Sequence, residues 1–467
     1  MLKRKIYDKL VEWKNSSNGI TTLLIKETRR IGMSFIVEEF AKKNYSSYIL
    51  IDFSKMNDSF KEVFDDLQNI DEFYKNLFLS LQKSPLPKNS LIIFDEVQFC
   101  PKARQAIKHL VFDGRYHFIE TGSLVSIKEN TMDILIPSEE ERISMYPLDY
   151  EEFLWAINKE YESEVLKEIY DKRDTKTSLK MHQVFIKTLR LYMAIGGMPQ
   201  AVNKYIETND FYAVEKIKKN ILSLYEEDLK KIDNKYNTIC YLVYKSIPLM
   251  LSKHTTRFIT SSLNERADSV LFKNTLSKLI ESKIVNVVYR CNEPKIGFSL
   301  TTDDSFFKIY FNDIGLFTSM VYFENINESR DIYQRLILDK VDTNLGMFYE
   351  SLVCQMLICN NHIPYYYSWK DKNKENMDNK NSKSFELDFI IYKKGHIIPI
   401  EVKSSLVKSL ASLNAFKDKY GKGVGEKIII KNKPLNYGDN TTYLPIYFWR
   451  LIFNTICGFN NYQIVII

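Results

Sequence analysis

Two groups of residues in this 467-residue chain have the types and spacing of reaction chemistry. The first is Glu27 to Ser34, E-T-R-R-I-G-M-S. It follows the apolar run Thr22-Leu23-Leu24-Ile25 and precedes a helical pattern from Met33 to Asn44. That is the strand–loop–helix context of a phosphate-binding G-x-x-x-x-G-K-[ST] loop. Gly32 and Ser34 fit the template, but Glu27 stands at the first glycine and Met33 at the lysine. The missing lysine would contribute about 1.5–3 kcal/mol through charge-assisted contacts, or about 10- to 150-fold in affinity. Glu27 brings a carboxylate towards a polyphosphate and gives up glycine's backbone freedom. Lys26, Arg29 and Arg30 are adjacent cations, any one of which could stand in. Downstream, Leu91-Ile92-Ile93-Phe94 delivers Asp95 and Glu96 at a strand tip, the first to hold Mg²⁺ and the second to polarise water. One strand later Thr121-Gly122-Ser123 offers Thr121 and Ser123 hydroxyls towards a γ-phosphate. Arg142, in the following loop, could neutralise charge across a subunit or domain interface.

The second group lies near the C-terminus. Phe385–Tyr392 and Ile398–Lys403 flank Lys393-Lys394-Gly395-His396, a hairpin turn in which Gly395 can take positive φ. A turn centred between Lys394 and Gly395 places Asp388 opposite Glu401 and Glu386 opposite Lys403. Period-two alternation then puts Asp388, Glu401 and Lys403 on one face. Two like charges so placed repel unless a cation lies between them, which suggests one divalent ion held by Asp388 and Glu401. Mg²⁺ there would activate water, with Lys403 stabilising charge on a scissile phosphate. Glu350, on the helical stretch Gly346–Leu357, completes an E…D…E-x-K pattern. The competing reading is a surface hairpin whose acids pair with Lys403 and neighbouring lysines.

The elements that must position these residues follow from hydrophobic patterning. Short apolar strands at Thr22–Ile25, Tyr48–Phe53, Leu91–Phe94 and His117–Thr121 alternate with helical stretches Phe35–Asn44, Phe60–Gln82 and Lys102–Val111. Such alternation predicts a parallel sheet covered on both faces, with ligands at the carboxyl ends of its strands. Leu148 to about Leu229 reads as helical, broken by Gly196-Gly197-Met198-Pro199. Helices over Thr238–Ser252 and Arg266–Ser282 precede strands Ile284–Tyr289 and Phe307–Phe311, an order consistent with a winged helix. Its Arg257, Arg266, Lys273 and Lys278 could contact phosphates. The remainder returns to α/β, interrupted by a polar surface loop, Lys370–Ser384.

Composition sets wide bounds. Charged residues make up 27% and hydrophobics 45% of the chain, and the net charge of +6 permits an anionic partner without demanding one. The six cysteines include no C-x-x-C pair and no histidine at metal-ligand spacing, and His109 and His254 read as packed or solvated. The N-terminus lacks the apolar core of a signal peptide, and the apolar tail from Leu444 to Cys457 is too short to span a bilayer. The expected setting is cytoplasmic, away from membranes. The Tyr365-Tyr366-Tyr367 and Trp369 cluster reads as a core strand rather than a base-stacking surface.

The ordered motifs R-R-I-G-x-S, I-I-F-D-E-V-Q, T-G-S, Y-P-L-D-Y-E-E-F (Tyr146–Phe153), G-G-M-P (Gly196–Pro199), F-K-I-Y-F-N-D-I-G-L (Phe307–Leu316) and E-V-K (Glu401–Lys403) resemble one family across nearly the whole chain. It is that of prokaryotic AAA-type ATPases with a C-terminal restriction-endonuclease-like domain. The resemblance implies a multidomain α/β fold: a parallel-sheet P-loop core over residues 1–147, a helical lid over 148–235, a winged helix over 236–325, and a nuclease-like domain over 340–467. The expected function is nucleic-acid-linked, with DNA as the partner, ATP weakly bound or lost, and Mg²⁺ at either site. A homo-oligomer or a protein partner also fits. Two alternatives stand beside it: a working ATPase that tolerates its altered loop, and an adaptor with no catalysis at either site.

Overall fold

Runs of Leu, Ile and Phe too short for helices become strands buried on both faces. The computed structural model describes residues 2–27, 30–123, 138–231, 237–253, 269–295, 297–322, 326–341, 345–370, 384–404, 410–438 and 440–448. Arg29, His254, Arg257, Arg266, Cys457 and residues 371–383 of the expected polar loop lie outside them, as do the side chains of Glu27 and Ser123. The chain divides into two compact units.

The first unit comprises Met1–Leu148, Met198–Gln200 and Lys273–Ile284. Its sheet contains β1 (Thr22–Glu27), β2 (Ser47–Asp52), β3 (Ser90–Asp95), β4 (His117–Ser123) and β5 (Glu140–Ser144). Their order is β2-β3-β4-β1-β5, and every pairing is parallel. β1 therefore lies between β4 and β5, although the chain leaves it to form β2 at the far edge. This brings the carboxyl ends of β1, β3 and β4 to one rim, where open α/β sheets bind ligands. The helical reading of Phe60–Gln82 is broken in the structure. A short helix Asp58–Lys61 and a 3₁₀ turn precede the helix Ile70–Leu81, whose start Asn69 caps by accepting from Asp71 and Glu72 amides. Phe53, Phe64 and Phe94 meet edge-to-face in the core beneath.

The second unit comprises Asp149–Gly197, Ala201–Phe272 and Val285–Ile467. Helices Tyr150–Ala156, Glu160–Asp171 and Thr175–Ile195 open it, the first begun by an Asp149/Glu152 capping box. Its mixed sheet contains β6 (Val285–Cys291), β7 (Thr302–Phe311), β8 (Tyr365–Lys370), β9 (Ser384–Lys393), β10 (His396–Lys403), β11 (Lys427–Lys431), β12 (Asn436–Gly438) and β13 (Thr441–Pro445), in the order β12-β13-β11-β10-β9-β8-β6-β7. The antiparallel pair β6/β7, read from sequence as part of a winged helix, continues the C-terminal sheet through Arg290 and Tyr366. Tyr366 and Tyr367 are buried, and Trp369 stacks between Tyr367 and Phe385, so these aromatics belong to the core.

Two of the ordered motifs meet inside this unit. Gly196 takes φ +86°, and the backbones of Gly196 and Gly315 approach so closely that a Cβ on either glycine would overlap the other residue. Asp313 Oδ2 accepts from the Gly197 amide at 2.6 Å, while its Oδ1 accepts from Leu316 N at 2.9 Å and caps the helix Ile314–Val321. The fully buried Lys218 ammonium donates to the Ala194 carbonyl at 2.6 Å and to the Gly315 carbonyl at 3.3 Å, fixing the same junction. G-G-M-P and N-D-I-G-L are thus the two halves of one packing contact.

Candidate functional site

In the N-terminal unit, the loop after β1 enters the helix Met33–Asn44 through Gly32 at φ +83° and ψ 32°. Nothing lies within 4 Å of where a Gly32 Cβ would sit, so the demand for glycine there is conformational rather than steric. Arg30, two residues earlier, also takes positive φ, 72°, and its side chain is exposed. The first turn of a helix directs backbone N–H groups outward, a setting that favours phosphate.

Three predicted residues converge on this rim. Asp95 ends β3 and is 6% exposed. Its Oδ1 accepts from Ser34 Oγ at 3.1 Å and from Thr121 Oγ1. The hydroxyl following the loop, the β3 acid and the β4 hydroxyl therefore share one carboxylate oxygen. These are hard oxygen donors of the kind Mg²⁺ takes alongside substrate phosphates, so the residues fit that ion. Glu96 follows in a left-handed conformation, φ 55°, and its carboxylate accepts from Gln98 Nε2. Ser123 is opposite Glu27 at the strand tips.

Met33 and Arg142 do not join them. Met33 is 3% exposed and counts among the core residues, so the position that would carry the lysine points its side chain into protein. Arg142 was expected in the loop following Thr121–Ser123, to act across a subunit or domain interface. It lies on the edge strand β5 opposite Leu24, three residues back from the tip of β1, or about 10 Å at about 3.3 Å per residue. There its exposed guanidinium pairs with Glu140. The sequence reading missed β5 because E-E-R-I-S is largely polar, as an edge strand tolerates.

Arg4 was overlooked altogether. It is 7% exposed and donates to the carbonyls of Ile31, at 3.2 Å, and Tyr146, at 2.5 Å, tying the loop's end to the chain beyond β5. A basic N-terminal residue gives no local signal of such a role. Lys283 donates to the hydroxyl of Ser144, the β5 partner of Lys26, at 2.7 Å. Burial, reinforced by the charge of Lys26, brings its pKa down to about 8.

In the C-terminal unit, β9 and β10 turn between Lys394 and Gly395, and their antiparallel register runs from His396↔Lys393 to Ile400↔Phe389. Asp388 and Glu401 follow directly after the last pair of that ladder, and Val402 N donates to Asp388 Oδ2 at 2.7 Å. Lys403 pairs with Glu401 at 3.1 Å. Glu350, 8% exposed, comes from the helix Gly346–Cys359. Glu386 does not meet Lys403 as expected.

Its partner is Lys308, a β7 residue that the sequence reading passed over. Lys308 Nζ lies 2.9 Å from Glu350 Oε1, 2.9 Å from Glu386 Oε1 and 3.9 Å from Asp388 Oδ1. Tyr310, two residues along the same strand face, donates to Glu350 Oε1 at 2.5 Å. Alternation along F-K-I-Y-F could have shown that Lys308 and Tyr310 point the same way. Burial alone would lower the pKa of Lys308, but the three carboxylates more than offset it and hold the ammonium charged. Burial, then the charge of Glu350, pushes Asp388 up to about 7. Lys403 is held above its ordinary value by Asp388 and Glu401 despite burial. Among the described residues, no three His, Cys, Asp or Glu side chains are grouped to hold a metal ion.

Residues 21–154 match a family described as an AAA domain. Residues 186–328 match a domain of unknown function, DUF8612, and residues 345–449 another, DUF4143. A comparison with curated proteins returns no match. Among solved structures, the chain is similar to the Aeropyrum pernix Orc1 protein in complex with DNA, at 10% identity and a TM-score of 0.29, over 68% of this chain and 91% of that one. It is also similar to protein VC1899 from Vibrio cholerae, at 10% identity and a TM-score of 0.15, over 89% and 90% of the two chains. At those scores neither structure bears on fold or function here. The domain match and the five-stranded parallel sheet together identify an AAA-type P-loop fold in the N-terminal unit. No helix among the described residues is long and apolar enough to cross a membrane.

Proposed function

We propose that this chain is an AAA-type nucleotide-binding protein that holds Mg²⁺–ATP at the rim of its N-terminal sheet and hydrolyses it feebly or not at all. One observation carries this reading: the Ser34 and Thr121 hydroxyls are gathered on Asp95, while Met33 turns into the core. Ser34 and Asp95 would hold the ion. Bound there, Mg²⁺ would neutralise phosphate charge. The first turn of the helix Met33–Asn44 would face the phosphates with its amides. With no lysine at position 33, the transition state loses a cation where charge develops, so hydrolysis suffers at least as much as binding. The chain's net charge of +6 leaves room for nucleic acid as the wider partner without requiring it.

Titrating the full chain with a fluorescent ATP analogue, with and without Mg²⁺, tests the nucleotide reading. The expected result is Mg²⁺-dependent binding that Asp95→Asn abolishes, with phosphate release near background. Failure of the folded wild type to bind at millimolar nucleotide would overturn it, and so would steady turnover abolished by Glu96→Ala.

A further inference from the structure

A carboxylate cluster in the E…D…E-x-K pattern needs positive charge at its centre, and this chain supplies its own. We propose that the Lys308 ammonium is the resident cation of the C-terminal cluster, tethered where a divalent ion would sit, so that the pocket keeps its form without metal and does not cleave phosphodiesters. The inference concerns a different unit from the nucleotide reading and does not depend on it.

The geometry accounts for each acid in turn. An ammonium has three N–H donors. The Lys308 ammonium lies 2.9 Å from both Glu350 and Glu386, with Asp388 Oδ1 3.9 Å away as a further, more distant ion-pair partner. Asp388 Oδ2 accepts from Val402 N at 2.7 Å, and Glu401 Oε2 faces Lys403 at 3.1 Å. Every acid of the pattern thus has an oxygen facing an N–H donor of the chain itself. A divalent ion binds carboxylate oxygens at about 2.0–2.6 Å, and it cannot share Glu350 Oε1 with an ammonium already in hydrogen-bond contact without strong like-charge repulsion. Lys308 is not a loose side chain that swings aside at no cost. It is 7% exposed, it rises from the edge strand β7, and Tyr310 on the same face fixes the Glu350 oxygen that receives it. To leave, it would have to abandon two close ion pairs while buried, which is strongly unfavourable. The arrangement also performs a mechanical task that a free ion would perform less securely, joining β7 to β9 and to the helix Gly346–Cys359 in any metal concentration.

Mn²⁺ binding by the full chain, followed by the electron paramagnetic resonance of the free ion, tests the proposal. All variants carry Asp95→Asn, so the N-terminal rim does not contribute. With Lys308 intact, no Mn²⁺ binding that depends on Asp388 is expected. Lys308→Met should create such a site, at least about tenfold tighter than the parent, and adding Asp388→Asn should remove it. Should Lys308→Met fail to fold, Lys308→Gln, which keeps amide donors and drops the charge, takes its place. Two results overturn the proposal: Mn²⁺ binding that Asp388→Asn abolishes while Lys308 is present, or a folded Lys308 variant that binds Mn²⁺ no better than its parent.

Discussion

Met33→Lys should repair the nucleotide site, and the size of the repair follows from what the side chain already does. Methionine and lysine have the same four-atom length through the ε position, so a lysine stem can follow the methionine's path and carry an ammonium one atom further. In its present path that stem is 3% exposed, packed under the first turn of its helix. An ammonium left there without a partner would cost several kcal/mol, so the stem swings to the loop, where phosphate oxygens and the helix amides converge. The gain on reaching the phosphates is about 1.5–3 kcal/mol, or about 10- to 150-fold in affinity. Against it stands the loss of methionine packing, about 1–2 kcal/mol of stability and none of affinity. The assay is calorimetric titration of wild type and Met33→Lys with Mg²⁺–ATP, with melting temperatures confirming that both are folded. Glu27→Gly, added to Met33→Lys, should strengthen binding again by removing a carboxylate from the loop. A folded Met33→Lys chain that binds Mg²⁺–ATP no more tightly than wild type refutes the reasoning, because it would mean that this loop does not receive phosphate.

Other outcomes follow from the same structure. Glu120, fully buried on β4, is pushed up to about 8 by burial and then by Glu140, with Arg104 pulling back. The folded chain therefore keeps a proton that the unfolded chain releases near the usual carboxylate value. That stability is fully present below about pH 4.5 and fades by about 1.4 kcal/mol per pH unit until about pH 8. Glu120→Gln should flatten this dependence, and parallel melting-temperature profiles for the two proteins between pH 5 and 8 would contradict it. Gly315→Ala puts a Cβ into the Gly196 backbone and should cost about 3 kcal/mol or more, read as a lower melting temperature or loss of soluble protein. Incubation of the wild type with Mg²⁺ or Mn²⁺ and branched, single-stranded or duplex DNA should leave every substrate intact. Cleavage that Asp388→Ala abolishes would contradict the place given to Lys308.

The parts of the fold legible in sequence were those where one physical rule acts alone. Leu91-Ile92-Ile93-Phe94 reads as a buried strand because four consecutive apolar residues fit little else at that length, and Asp95 at its tip follows at once. The β9/β10 register was legible because Gly395 fixes the turn and period-two alternation carries it on to Ile400 and Phe389. Elsewhere competing rules won. Glu140–Ser144 is too polar to announce a strand, and it pairs only because β1 offers an open parallel edge. The run Phe60–Gln82 has apolar residues at helical spacing throughout, yet the first helix, capped by Asn57, ends at Lys61 and Asn69 caps a new start that divides the run. Arg4 and Lys308 act 27 and 42 residues away from their nearest partners in the sites, a separation that no local pattern encodes.

Positive charge within the two constellations is placed in opposite ways. The nucleotide loop has lost a cation at position 33 while keeping Ser34, Asp95 and Thr121 hydrogen-bonded as a set. The carboxylate cluster keeps its acids and brings a buried lysine among them. Neither arrangement looks like unselected decay of a site, which would leave buried charges unpaired and the fold weaker for it. A loop that merely drifted from phosphate binding would not need Arg30 and Gly32 held at positive φ, or Arg4 buried to anchor Ile31, since each costs free energy that only an ordered loop returns. The same holds for Lys308, because burying an ammonium is tolerable only when several acids surround it. Both sites are better understood as built to hold their shape without the ion or the lysine that the motifs would otherwise require.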